Sequence, residues 1–131
     1  MMHARATTSR NDADEIMRYA LWAAAIFNVG GALLFAFPGS LGRMAGLPAE
    51  LPRVYGALLV SFVLLFGGAY AWLALQPVFD RPLVALAAIG KAGAFAVVFA
   101  CWLLGDVSVL SVVAISGDLA FALLFAWWLS R

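Results

Sequence analysis

The chain predicts an all-α integral membrane protein, a four-helix bundle running up-down-up-down with both termini cytoplasmic, and three observations carry that expectation. Its 131 residues are 66% hydrophobic and 11% charged, where a soluble domain has about 45–50% and about 25%. Mean hydropathy is +1.00. Four apolar runs match the roughly 20 helical residues needed to cross a hydrocarbon layer about 30 Å thick. Backbone polar groups in lipid must be satisfied within the segment, so four runs mean four helices.

The elements follow in chain order. Residues 1–18, "MMHARATTSRNDADEIMR", are polar and mixed in charge, and are expected to form a disordered or surface-lying cytoplasmic tail. Their acids Asp12, Asp14 and Glu15, and the lack of a small-residue cleavage site, argue against a signal peptide. Residues 19–131 form one domain with spans over about 19–37, 54–75, 82–104 and 107–129. "FPGS", "QPVFDRP" and "GDVS" separate the spans, with Gly105 suited to a helix C-terminus and Asp106 to an N-cap. The longest connection, Pro38 to Arg53, is expected either to rest a short helix on the membrane surface through Leu41, Met44, Ala45 and Leu47, or to cap the bundle irregularly.

Orientation follows from the basic residues. Arg5, Arg10, Arg18, Arg81 and Arg131 lie on the side of the termini, against Arg43 and Arg53 opposite, and basic loops stay cytoplasmic. Trp22, Trp72, Trp127 and Trp128 fall near that same end, as an interfacial aromatic belt requires.

The depth of the polar residues singles out a cluster. Asn28 and Lys91 each lie nine residues in from the terminal side, and Asp118 eleven; at about 1.5 Å per residue these levels agree within about 3 Å. Lys91 is the only lysine in the chain. A short connection makes the third and fourth spans antiparallel neighbours, bringing Lys91 and Asp118 within reach of an ion pair. Small residues share the faces of all three: Ala24, Ala25, Gly31 and Ala32 with Asn28; Ala87, Ala88 and Ala94 with Lys91; Ser111, Ala114 and Ala122 with Asp118. On the second span, Ala57, Ser61 and Gly68 form a comparable row. Rows of small residues let membrane helices pack closely, so these faces are expected inside. Leu33, Leu59, Phe66, Val97 and Leu123 are expected to meet lipid, and Gly90 and Gly117, each preceding a charge, to mark close packing, with a hinge as the alternative.

Two readings of the cluster stay open at this point. Asn28, Lys91 and Asp118, with Ser61, could line a site for a proton, an ion or a lipid headgroup, since intramembrane charges are by default a functional hypothesis. Alternatively Lys91 and Asp118 form a buried pair, completed by Asn28, that pins helix register.

Other chemistry is excluded more readily. His3 and Cys101 are the lone histidine and cysteine, so there is no His/Cys metal cluster, disulfide framework or Cys/His nucleophile, and no metal is expected. No phosphate-binding glycine fingerprint is present, and a net charge of +1 without a basic stripe excludes nucleic acid as a partner. "FGGAYAW" at 66–72 and "FALLFAW" at 121–127 hint at two parallel helical repeats about an axis along the membrane normal.

"FNVGGALLFAFPGSLGRMAGLP", "YGALLVSFVLLFGGAYAWLA" and "GKAGAF" together resemble small bacterial inner-membrane proteins of the DoxX-like group. The resemblance covers most of the chain at the level of layout. It implies a four-helix bundle in the bacterial cytoplasmic membrane and an association with membrane redox and sulfur metabolism as a subunit or partner. It transfers no catalytic residue, and the lysine of the third span matches no family signature.

The leading functional expectation is a small accessory protein associated with lipid or quinone. No cofactor is evident, a quinone or lipid being the candidate ligand. The bilayer is the principal partner, with a homodimer or another membrane protein beside it. The alternatives are a dimeric transporter or proton-coupled carrier titrating Lys91 and Asp118, and a membrane enzyme on an apolar substrate with Asp118 as acid or base.

Overall fold

A computed structural model of the chain describes residues 2–131, with side chains from residue 10 onward. The described residues form α1 (Met2–Ala36), a π-helical turn (Pro38–Gly42), α2 (Arg53–Leu75), α3 (Arg81–Leu103) and α4 (Val109–Leu129). All four helices are long and apolar enough to cross a membrane, and the chain is an integral membrane four-helix bundle. α1 packs along α2 and α3 along α4, and the two hairpins join chiefly through α1 and α4.

The first departure from expectation is at the amino-terminal segment. α1 starts before the apolar span and runs through residues 10–18 without a break. Ala13 and Met17 are fully packed within the core with Ala20, Leu21 and Ala24. Their spacing of three and four residues is one helical stripe, and it continues the apolar face of the span into a segment whose other residues are polar. That stripe is the reason this part of the tail is an ordered helix; residues 1–9 contribute no described side chains.

Polar groups lock the end of the bundle that carries the termini. Asp14 accepts a hydrogen bond from Trp128 Nε1 at 2.8 Å. Arg18 Nη1 donates to the carbonyls of Ala74 and, at 3.0 Å, Gln76. Arg81 Nη2 donates to the Leu129 carbonyl. The last carbonyls of a helix have no partner of their own, and two arginines supply them here, one at the end of α2 and one at the end of α4. Arg18 also lies over the Phe79 ring at 4.8 Å and Arg81 over Trp128 at 5.3 Å. The tryptophans divide accordingly: Trp22 and Trp72 face outward as an interfacial belt requires, whereas Trp128 is buried and serves the interior.

At the opposite end α3 stops in a Schellman motif. Gly105 takes φ +85°, open to glycine at no steric cost, the Asp106 N–H reaches Cys101 O at 2.9 Å, and the Gly105 N–H reaches Trp102 O at 3.0 Å. Asp106 is thereby committed to closing α3. The N-cap of α4 is Ser108, two residues beyond the expected Asp106, and its side chain makes no capping bond. The connection after α1 caps the bundle, held to α4 by a hydrogen bond from Ser111 Oγ to Ala45 O at 3.0 Å, while Met44 is exposed.

Leu33, Leu59, Val97 and Leu123 face outward as expected. Phe66 does not, because it packs on the core and stands 6.3 Å from Tyr70, centroid to centroid. The same rotation of α2 turns Ala57, Ser61 and Gly68 outward. The inner face of α2 is instead the row Gly67, Tyr70, Leu73 and Ala74. Ser61 and Gly67 are six residues apart, about 120° around a helix at 3.6 residues per turn, so both rows cannot face inward together.

Candidate functional site

Three helices bring Asn28, Lys91 and Asp118 together at one level, all buried. The Lys91 ammonium donates to Asn28 Oδ1 at 2.6 Å and pairs with Asp118 Oδ1. Asn28 Nδ2 in turn donates to the Val63 carbonyl of α2 at 2.9 Å. One side-chain chain of contacts therefore ties α2 to α1, α1 to α3 and α3 to α4.

Aromatic faces complete the ammonium's surroundings. Lys91 Nζ lies 5.1 Å from the centroids of Phe27 and Tyr70 and 5.4 Å from that of Phe121. Such rings attract a cation through their quadrupoles, and more strongly in a desolvated place. A lysine is tolerated here because its charge meets a carboxylate, an amide oxygen and three ring faces instead of hydrocarbon. Among the described residues no enclosed side-chain nitrogen or oxygen is left without a partner.

Two glycines make this packing possible. A Cβ on Gly67 would stand 3.1 Å from Asn28 Cβ, so the bare backbone of α2 is what lets Asn28 close on Val63. A Cβ on Gly117 would stand 2.6 and 2.8 Å from Phe27 ring atoms, so that ring lies directly on α4 beside Asp118. Gly117 thus fulfils the expectation of close packing. Gly90 is exposed, and a Cβ there would meet Phe66 at an ordinary 3.8 Å.

Of the four residues singled out in the sequence, three meet and one does not. Ser61 is exposed on the outer face of α2 and returns its hydroxyl to Ala57 O at 2.9 Å, a bond a serine makes within its own helix. Phe27, Tyr70 and Phe121 are members of the site not anticipated from the sequence. For Tyr70 the available signal was its place three residues after Gly67, on the face opposed to the small-residue row.

The geometry also pairs the two hairpins residue by residue. Asn28 and Lys91 are 63 residues apart, and Arg18 and Arg81 share that separation. On the partner helices Val63 and Asp118, Gly67 and Ala122, Tyr70 and Phe125, Leu73 and Trp128, and Ala74 and Leu129 all stand in one register, that of the "FGGAYAW" and "FALLFAW" segments. Equivalent residues do equivalent things. Arg18 closes the end of α2 at Ala74 and Arg81 closes α4 at Leu129, while Asn28 bonds Val63 and Lys91 bonds Asp118.

The likeness ends at the seams between hairpins. α1 and α4 pack together, with Trp128 and Phe125 buried there. The equivalent seam, between α2 and α3, stays open as a cleft of about 210 Å³ lined by Leu65, Phe66, Tyr70, Leu73, Leu83 and Leu86. Leu73 stands where the other hairpin has the larger Trp128. The cleft is apolar but for Tyr70, a residue only 3% exposed. The Tyr70 hydroxyl has no hydrogen-bond partner among the described residues and only just reaches the surface.

No protein-family model matches this chain, and neither a curated protein nor a solved structure does.

Proposed function

We propose that this protein is a small accessory protein of the bacterial cytoplasmic membrane, with both termini cytoplasmic, that holds an apolar lipid-like or quinone-like molecule in the cleft between α2 and α3. The observation that carries this reading is the open seam itself, an apolar groove in the membrane-spanning part of the bundle with one unpartnered phenol in its wall. Binding sites for small molecules combine such apolar walls with a few placed polar groups. A hydrocarbon chain fits the walls, and a carbonyl or ester oxygen on it would accept from Tyr70. The DoxX-like layout agrees with such an accessory role.

In this reading Asn28, Lys91 and Asp118 pin the bundle behind the cleft. A carrier titrating Lys91 and Asp118 needs water or an ion at the pair, and the ring faces of Phe27, Tyr70 and Phe121 crowd it instead. That enclosure favours holding over transport or catalysis.

The test is extraction and mass spectrometry of small molecules retained by the purified protein, comparing the parent with Ala69→Phe, which fills the cleft. The parent should retain one apolar molecule per chain and the variant should lose it at nearly unchanged melting temperature. A parent that retains nothing, or a variant that retains the same molecule equally, would overturn the proposal.

A further inference from the structure

A second cavity lies at the other end of the molecule, away from both the polar cluster and the α2/α3 cleft. It has a volume of about 470 Å³ and sits where the end of α1 and the following turn meet the start of α2, between Phe35, Pro38, Leu51, Ala57, Val60 and Arg53. The groove exists because the wall is thin there: Gly56 faces Phe35 O and Leu51 with no side chain between.

Its two ends differ in chemistry. At the mouth stands Arg53, exposed and in no hydrogen bond or ion pair with the described residues; the only ion pair among them is Lys91 with Asp118. Glu50, three residues earlier, is exposed and forms no ion pair with it. Arg53 also opens α2, whose N-cap is Pro52 and has no side-chain cap. The N–H groups of Arg53 and Val54 have no partner among the described residues, the Tyr55 N–H being the first to bond, to Pro52 O at 3.0 Å, and they add positive partial charge beside the guanidinium. Below the mouth the wall is apolar along α2 to Ser61, eight residues or about 12 Å deeper. Ser61 offers no free donor there, because its hydroxyl is returned to Ala57.

A cation at the rim of the membrane above an apolar groove complements a molecule with an anionic head and a hydrocarbon chain. We infer that this groove binds one anionic phospholipid of the bilayer, its phosphate on Arg53 and the start of α2 and one acyl chain along Ala57 and Val60. Arginine suits the head because its planar fork meets two phosphate oxygens at once. Free phosphate shares the head chemistry but gains nothing from the apolar wall, so the groove selects the lipid.

The experiment uses the full chain, delipidated in a neutral detergent, with phosphatidylglycerol, phosphatidylcholine or inorganic phosphate added. Melting temperature and bound lipid, counted by native mass spectrometry, are the two readouts. Phosphatidylglycerol should bind at one equivalent and raise the melting temperature, whereas phosphatidylcholine and phosphate should not. Arg53→Gln should weaken phosphatidylglycerol binding by about tenfold, the loss of one charge-assisted contact. Ala57→Trp, which plugs the groove from an exposed position and leaves the core untouched, should weaken it similarly with Arg53 intact. Equal binding of phosphatidylglycerol by the parent and both variants would overturn the inference. So would equal stabilisation by phosphatidylcholine, which would make the groove indifferent to charge, or by phosphate alone, which would make the site one for a soluble anion.

Discussion

Replacing Lys91 by methionine and Asp118 by asparagine, singly and together, tests whether their pair is a dry structural element. In Lys91→Met the Asp118 carboxylate loses its sole hydrogen-bond partner among the described residues, and Asn28 Oδ1 loses the donor at 2.6 Å. In Asp118→Asn the ammonium keeps Asn28 and the three ring faces but loses its counter-charge. Removing one member of a buried pair costs about 3–5 kcal/mol. The double variant leaves no charge, only an Asn28 oxygen short of a donor, a penalty of about 1–3 kcal/mol. The two singles together should therefore exceed the double by at least about 3 kcal/mol, an interaction energy at the upper end for contacting residues. Unfolding by titration with a denaturing detergent in mild mixed micelles measures all four free energies. Additive effects, or single variants within about 1 kcal/mol of the parent, would refute the reasoning. They would mean that water already reaches both charges, and would return Lys91 and Asp118 to candidacy as a transport or catalytic site.

Further predictions concern the surroundings of that pair. Gly117→Ala drives a methyl into the Phe27 ring and should cost about 1–3 kcal/mol by overpacking, whereas Gly93→Ala, with nothing within 4 Å, should be neutral or slightly stabilising; equal melting temperatures for the two would contradict the packing described. Ser61→Ala should change stability by less than about 0.5 kcal/mol and leave ligand retention intact, since Ser61 faces away from the cluster; a large loss in either assay would restore it to the site. Arg18→Met strips the Ala74 and Gln76 carbonyls of their donor and should lower stability by about 1–3 kcal/mol, with faster hydrogen exchange confined to the last turn of α2 and the start of the following connection. Tyr70→Phe should leave the fold unchanged while weakening retention of a guest that carries a carbonyl or ester oxygen, read by the same extraction assay.

Much of the candidate site was legible in the chain. The levels of Asn28, Lys91 and Asp118 follow from counting helical residues, because rise per residue is constant. Their inward direction on α1, α3 and α4 follows from small residues on the same stripe. On α2 the row of small residues faces outward instead. There the small residues Ala57, Ser61 and Gly68 form a row too, but α2 touches the rest of the bundle mainly through α1, and a broad part of its surface is left outside. In a membrane that outer face needs only to be apolar, so small residues on it carry no penalty and mimic an interface. The amino-terminal helix was hidden for the opposite reason, since Ala13 and Met17 are too few apolar residues to register against the charges between them.

The number of helices able to cross a membrane, their order and the common level of Asn28, Lys91 and Asp118 were determined by sequence alone, because the bilayer demands internally bonded apolar segments of fixed length and the rise per helical residue is constant. The rotation of each helix about its axis was decided only by tertiary structure. Gly67 receiving Asn28, Gly117 receiving the Phe27 ring, and Trp128 closing one seam while Leu73 leaves its counterpart open are contacts between distant segments. Lipid is nearly indifferent to which apolar face a helix shows it, so the packing of side chains against one another, and not the hydropathy of any one helix, chooses which residues meet.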